Sequence, residues 1–343
     1  MRPIDPRDLD EAVAAVGDWG PLDGSRLLLT GATGFYGAWL LASLGRAVID
    51  RGLRVEAVAL TRDPDAARAR MPWLAALPWL ILSRGDARSF TPPGGRFTHA
   101  LLAATSTTVT PGAREDPFET VSVVVDGTRR ALDLCAERGV TRALYASSGA
   151  VYGRQPSEVS HVAEDHPGGP DCLDPRLAYG HAKRLGECLC AVARAERGLD
   201  VVVARGFAFV GAHLPLDAHF AIGNFLRDGL AGRPVVVRGD GSPRRSYLYG
   251  SDLAAWLWVM LLRGASGRAY NLGSDDDRSV AEVAARVGAH FGVPVEVLGV
   301  PEPDAPRSRY VPSVARARGE LGLEVTVGLD EAIERTARWH RGG

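Results

Sequence analysis

A chain of 343 residues with a formal net charge of −1 has no global attraction for nucleic acid or for an anionic membrane. Its 46% hydrophobic and 24% charged content belongs to a globular protein, long enough for one large domain and a smaller lobe. The N-terminal MRPIDPRDLDEAV carries acids and no apolar run, so it does not read as a signal peptide, and a cytoplasmic location is expected.

Residues 1–24 read as a leading helix and linker. Short aliphatic runs then predict strands at 27–30, 55–61, 79–83, 99–103, 143–147 and 201–204. Helical stretches at 36–51, 117–138 and 179–197 lie between them. This alternation predicts an α/β fold, a Rossmann-type doubly wound parallel sheet, with a smaller C-terminal α/β substrate-binding lobe. The expected division is 25–208 for the dinucleotide-binding domain and 209–343 for the lobe, with a helix near 251–263 returning to the first domain. That helix holds the apolar run 253–262, bounded by Asp252 and Arg263 and too short to span a bilayer. The four cysteines have no ligand-like spacing with histidine, and Cys188 and Cys190 should point to different faces of one helix. Reduced thiols and no metal are expected.

The segment LLLTGATGFYG at 27–37 is a strand feeding a glycine turn that opens a helix. Gly31 permits the turn, Gly34 admits a diphosphate to the backbone amides, and Gly37 lets helix and strand pack closely. The helix N-terminus adds unpaired N–H groups and a positive dipole end. Thr33, Phe35 and Tyr36 in the same turn complete the cofactor-binding candidates. The spacing is Gly-x-x-Gly-x-x-Gly, one residue longer at its start than the commoner fingerprint. The second strand ends in Thr61 and Arg62, where an NAD site usually has a carboxylate. An arginine there can pair with a ribose 2′-phosphate, so NADP(H) is favoured, with NAD as the alternative. Asp86, past the third strand, is a candidate for the adenine amino group. Ala103, Ala104 and Thr105, past the fourth, would let backbone pass close to the cofactor.

Of the 40 lysines and arginines, one is lysine. Lys183 follows Tyr179 by four residues, which puts both on one helix face. Arginine has replaced lysine wherever a positive charge suffices; a compact ammonium beside a phenol, favouring the phenolate, is a site where it cannot.

With GATGFYG, SSGAVYG, Tyr179 and Lys183, GSPRRSYLYGSDLA (241–254) and YNLGS (270–274), the chain resembles the extended short-chain dehydrogenase/reductase family. The branch is that of nucleotide-sugar epimerases, dehydratases and 4-ketoreductases, and the likeness covers residues 25–340. The resemblance implies Tyr179 as acid/base at the sugar oxygen, Lys183 at the nicotinamide ribose, and Ser148 as hydrogen-bond donor to the reacting oxygen. It places Phe207 beside the cofactor. Arg245 would clamp the substrate diphosphate, supported by the loop carrying Asn271, and Arg309 would assist. His219, Phe220 and Asn224 fall where relatives contact sugar or nucleotide. Val124, where relatives often have asparagine, would only pack.

Dehydratases of this branch carry an Asp–Glu pair directly after the catalytic Ser/Thr, and decarboxylases a glutamate at the second position. Here these are Gly149 and Ala150, whose side chains move no proton. Hydride chemistry at a secondary alcohol or ketone remains. The expected function is an NADPH-dependent 4-ketoreductase of a nucleotide-diphosphate-linked 4-keto-6-deoxy sugar. An epimerase is the alternative, and a non-catalytic NADP-binding sensor a second one. No nucleic-acid or membrane partner is expected. The helices 117–138 and 177–197 resemble those that pair between subunits in relatives, so a homodimer is expected.

Overall fold

The computed structural model describes residues 1–105, 116–218, 220–300 and 308–342. Its centre is a seven-stranded, all-parallel sheet. The strands are β1 (Ser25–Thr30), β2 (Val55–Thr61), β3 (Leu80–Arg84), β4 (His99–Leu102), β5 (Arg142–Ser148) and β6 (Asp200–Gly206), with Ala269–Leu272 at one edge. The order across the sheet is β3, β2, β1, β4, β5, β6 and then Ala269–Leu272. The order reverses between β1 and β4, and ligands of such sheets bind beyond the strand ends at that crevice. Strands buried on both faces read as continuous aliphatic runs, which is why LLL at 27–29 and VVV at 201–203 were recognisable.

Helices α1 (Pro6–Val16), α2 (Phe35–Arg51), α3 (Pro64–Arg70), α4 (Pro117–Glu137) and α5 (Ala178–Arg197) follow in chain order. α4 and α5 pack together on one face of the sheet. On the other face α2 packs with α7 (Gly250–Arg263), the apolar helix expected from sequence. Every residue of α7 from Gly250 to Leu261 is buried, and Trp258 donates to the Ser43 hydroxyl at 3.0 Å. Residues 269–272, expected in the lobe, are instead the seventh strand of the main sheet, hydrogen-bonded to β6. The leading segment is integral: α1 lies against α2 and α7, and buried Arg335 binds Asp8 at 2.6 Å. Cys188 is exposed and Cys190 buried, on opposite faces of α5.

The lobe is built on α6 (Ala221–Leu230) packed against α8 (Val280–Phe291), with the parallel strands Val235–Val237 and Val295–Val297 beside them. A second small sheet matters more for the site. Arg244–Arg245 pairs antiparallel with Arg278–Ser279 and parallel with Arg309–Tyr310. This ribbon delivers Arg245 and Tyr310 to the carboxyl edge of the main sheet. Among the described residues no helix is long and apolar enough to cross a membrane.

Candidate active site

The glycine turn closes on itself for steric reasons. Gly31 has φ +71°, and a Cβ there would run into the Ala103 carbonyl; one on Gly37 would run into the Ala32 backbone. Gly34 caps α2 in an extended conformation, open and exposed, so no steric demand fixes it as glycine. The Thr30 hydroxyl accepts the Ala103 and Ala104 amides, both at 3.1 Å, and so joins the ends of β1 and β4 at the crevice. Thr105 follows, its buried hydroxyl without a partner among the described residues. Arg70, which sequence reasoning missed, donates to the Thr33 carbonyl and braces the turn from α3. A backbone cradle with an open helix N-terminus fits a dinucleotide diphosphate.

At the end of β2, Thr61 is buried and Arg62 exposed. Asp63, the nearest carboxylate in sequence, caps α3 by accepting the Asp65 and Ala66 amides. Arg84 stands in register with Thr61 and donates to the Arg62 carbonyl. Asp86 is gripped by Arg88, which gives it one backbone and two side-chain hydrogen bonds and holds its carboxyl at about 2. An adenine amino group would therefore share Asp86 with Arg88.

At the reacting end, Ser148 closes β5 and Tyr179 and Lys183 lie in the first turns of α5. Lys183 is 2% exposed; its ammonium donates to the Ala146 carbonyl at 2.7 Å and lies 5.8 Å from the Tyr179 ring centre. Burial pushes it down to about 8, with Cys190 and Glu187 opposing. Tyr36 and Tyr310 crowd the same space, since the charge of an ionised Tyr179 would raise both of their already elevated pKa values. Phe207 stacks at 4.7 Å on Tyr310.

Ser148, Tyr179, Lys183, Tyr36 and Phe207 thus converge, and Tyr310 joins them unforeseen. Tyr152, in contrast, is buried structure: it donates to Asn271 at 2.7 Å and accepts from Arg205 at 2.9 Å. Asn271 lies on the edge strand rather than a loop and also ties Val162 and Ser313. No hydrogen bond joins Asn271 to Arg245 among the described residues. Arg245 is half-buried and held by the Arg244 carbonyl and the Ser308 backbone and hydroxyl. Among the described residues no carboxylate lies within ion-pair distance of it, and burial lowers its pKa. Arg309 is instead ion-paired with Asp277, which it shares with Arg244. Asn224 sits on α6, accepting from Arg227, and exposed Phe220 precedes that helix. His219 lies outside the described residues. Val124 is fully buried in α4.

The sheet order and glycine cradle define a dinucleotide-binding fold with a Tyr–Lys–Ser constellation at its open edge. Comparison with known proteins narrows this. Residues 27–273 match the model of the NAD dependent epimerase/dehydratase family. The chain belongs to that family of nicotinamide-dependent enzymes. It is 30% identical over 229 residues to UDP-glucuronic acid decarboxylase 1 of Danio rerio, covering 67% of this chain and 54% of that protein. It is 26% identical over 330 residues to UDP-N-acetyl-alpha-D-glucosaminuronate decarboxylase of Bacillus cytotoxicus, covering 92% and 98%. In fold it matches DesIV, a dTDP-glucose 4,6-dehydratase of Streptomyces venezuelae solved with NAD (TM-score 0.77, 22% identity, 93% and 97% covered). The UDP-glucuronic acid 4-epimerase of Bacillus cereus, solved with UDP-glucuronic acid and NAD, gives 0.75 at 19% identity, with 92% and 99% covered.

Proposed function

We propose that the chain is an NADPH-dependent 4-ketoreductase of a nucleotide-diphosphate-linked 4-keto-6-deoxy sugar. The observation that carries this reading is the pair Gly149–Ala150 beside Ser148. A Cβ on Gly149 would stand 2.8 Å from both the Phe207 ring and the Tyr310 hydroxyl. No acidic side chain fits there to eliminate water, and Ala150 lacks the carboxylate that the decarboxylases of this branch carry. The decarboxylase relatives share the scaffold, and the residues that distinguish their chemistry are replaced here.

The glycine turn and the α2 N-terminus would hold the cofactor diphosphate, Arg62 a 2′-phosphate, and Lys183 the nicotinamide ribose. Asp63, the nearest carboxylate in sequence, uses one of its oxygens to cap α3. A bound reduced nicotinamide supplies the hydride. Tyr179 protonates the ketone oxygen, and Ser148 donates a second hydrogen bond to it as negative charge develops. Lys183, positive below about pH 8, eases the loss of the Tyr179 proton. Arg245, with no carboxylate at ion-pair distance among the described residues, takes the substrate diphosphate. A homodimer through α4 and α5 is part of the reading, supported by exposed Phe118, Val121, Leu185 and Val192 on those helices.

Incubation with NADPH and a 4-keto-6-deoxy nucleotide sugar tests this. Loss of reduced-nicotinamide absorbance matched by a new hydroxyl supports it. Interconversion of two sugars without net cofactor consumption would replace it with an epimerase, and neither outcome would leave a sensor.

A further inference from the structure

Tyr310 enters the site 131 residues after Tyr179, from the ribbon strand that pairs it with Arg245. Its hydroxyl donates to the Gly206 carbonyl at 3.3 Å and lies 3.4 Å from Ser148 Oγ. Ser148 Oγ already accepts the Ala150 amide at 3.2 Å. A hydroxyl has one proton and two lone pairs. To donate to a reacting oxygen, Ser148 needs its proton free and gains donor strength if its second lone pair is also engaged. The Tyr310 phenol is within reach of that lone pair. Its ring cannot drift, being stacked on Phe207 and fixed by the ribbon.

We propose that Tyr310 is a positioning residue that shifts its phenolic hydrogen bond from the Gly206 carbonyl to Ser148 Oγ when substrate enters, turning the Ser148 proton onto the reacting oxygen. No bond other than hydrogen bonds is made or broken at Tyr310. Burial raises the pKa of the phenol above its ordinary value, so it remains a donor at neutral pH. The substrate named in the test rests on the ketoreductase reading; the hydroxyl pair does not.

The test is a double-mutant cycle of Tyr310→Phe and Ser148→Ala, read as kcat and KM with NADPH and the 4-keto-6-deoxy nucleotide sugar. Tyr310→Phe keeps the ring and should lower kcat about tenfold with KM within about twofold. Ser148→Ala should lower kcat about 100-fold. The double variant should be no slower than Ser148→Ala alone, because Tyr310 acts through Ser148. Two losses that multiply, or a Tyr310→Phe effect on KM alone, would overturn the proposal. If the unaltered protein turns over no keto sugar, the reaction reading fails and crystals of the nicotinamide-bound protein decide the pair. Hydroxyls within hydrogen-bonding distance, with Ser148 turned away in Tyr310→Phe, support it; hydroxyls apart, or an unmoved Ser148, overturn it.

Discussion

The Tyr310 hydroxyl lies 2.8 Å from the point where a Cβ on Gly149 would stand, and the edge of the Phe207 ring is equally near. The glycine is thus required by aromatic packing from two distant parts of the chain. Gly149→Asp should fail to create a dehydratase and should destabilise the fold by at least about 2 kcal/mol, from overpacking and a buried carboxylate. Urea unfolding checks this; an unshifted midpoint would mean that the aromatic wall yields.

Lys183 trades stability for chemistry. Its pKa is lower in the folded chain, about 8 against an ordinary 10.5. Its contribution to stability is therefore fully present above 10.5, declines as pH falls toward 8 and is absent below. Relative to Lys183→Met, the unaltered protein should gain up to about 3 kcal/mol between pH 8 and 10.5. Lys183→Met should at the same time lose at least about 100-fold in turnover at pH 7. Paired urea titrations across that pH range read the first effect, and a flat difference would contradict the burial of the ammonium.

Arg62 should decide between the two nicotinamide cofactors. Arg62→Ala is expected to weaken NADPH binding about 10- to 100-fold and to leave NADH within about threefold, because only the former has a phosphate for the guanidinium to meet. Fluorescence titration of both reduced cofactors measures the ratio.

Arg245 and Arg309 lie on neighbouring strands of one ribbon with different surroundings. Arg245→Ala should raise the KM for the nucleotide sugar about tenfold or more, since its charge meets no carboxylate among the described residues. Arg309→Ala should act mainly on the lobe's stability, through Asp277. Equal effects on KM would show that both reach the diphosphate.

Arg335 gives the leading helix its hold. It binds Asp8, Glu11 and Glu331, with Asp8 as buried as itself. Arg335→Met should cost about 3–5 kcal/mol by stranding the Asp8 charge, a loss visible in the denaturant midpoint.

The sheet was legible because aliphatic strands and amphipathic helices alternate with a period that has few other solutions; strand ends moved by one or two residues. The Tyr179–Lys183 pair was legible because helical spacing is local. Tyr310 was not, since its contact with Ser148 spans 162 positions and no pattern near residue 310 announces it. The one signal was a glycine at 149 where relatives carry an acid, a hint that something else fills the space. The internal partners of Arg309 and Asp86 were not read from the sequence either. Asp277 is 32 residues from Arg309 and meets it only in the fold, whereas Arg88 is two residues from Asp86 and makes a local turn contact. The edge strand Ala269–Leu272 escaped because four residues beside a long apolar helix carry little periodicity of their own.

The most direct measurement follows NADPH oxidation and sugar product together, with one 4-keto-6-deoxy nucleotide sugar as substrate. One equivalent of reduced cofactor should be consumed for each new C4 hydroxyl, and Tyr179→Phe should abolish the reaction. Release of carbon dioxide from a nucleotide-linked uronic acid, or epimerisation with tightly held NAD and no net oxidation, would contradict the ketoreductase reading.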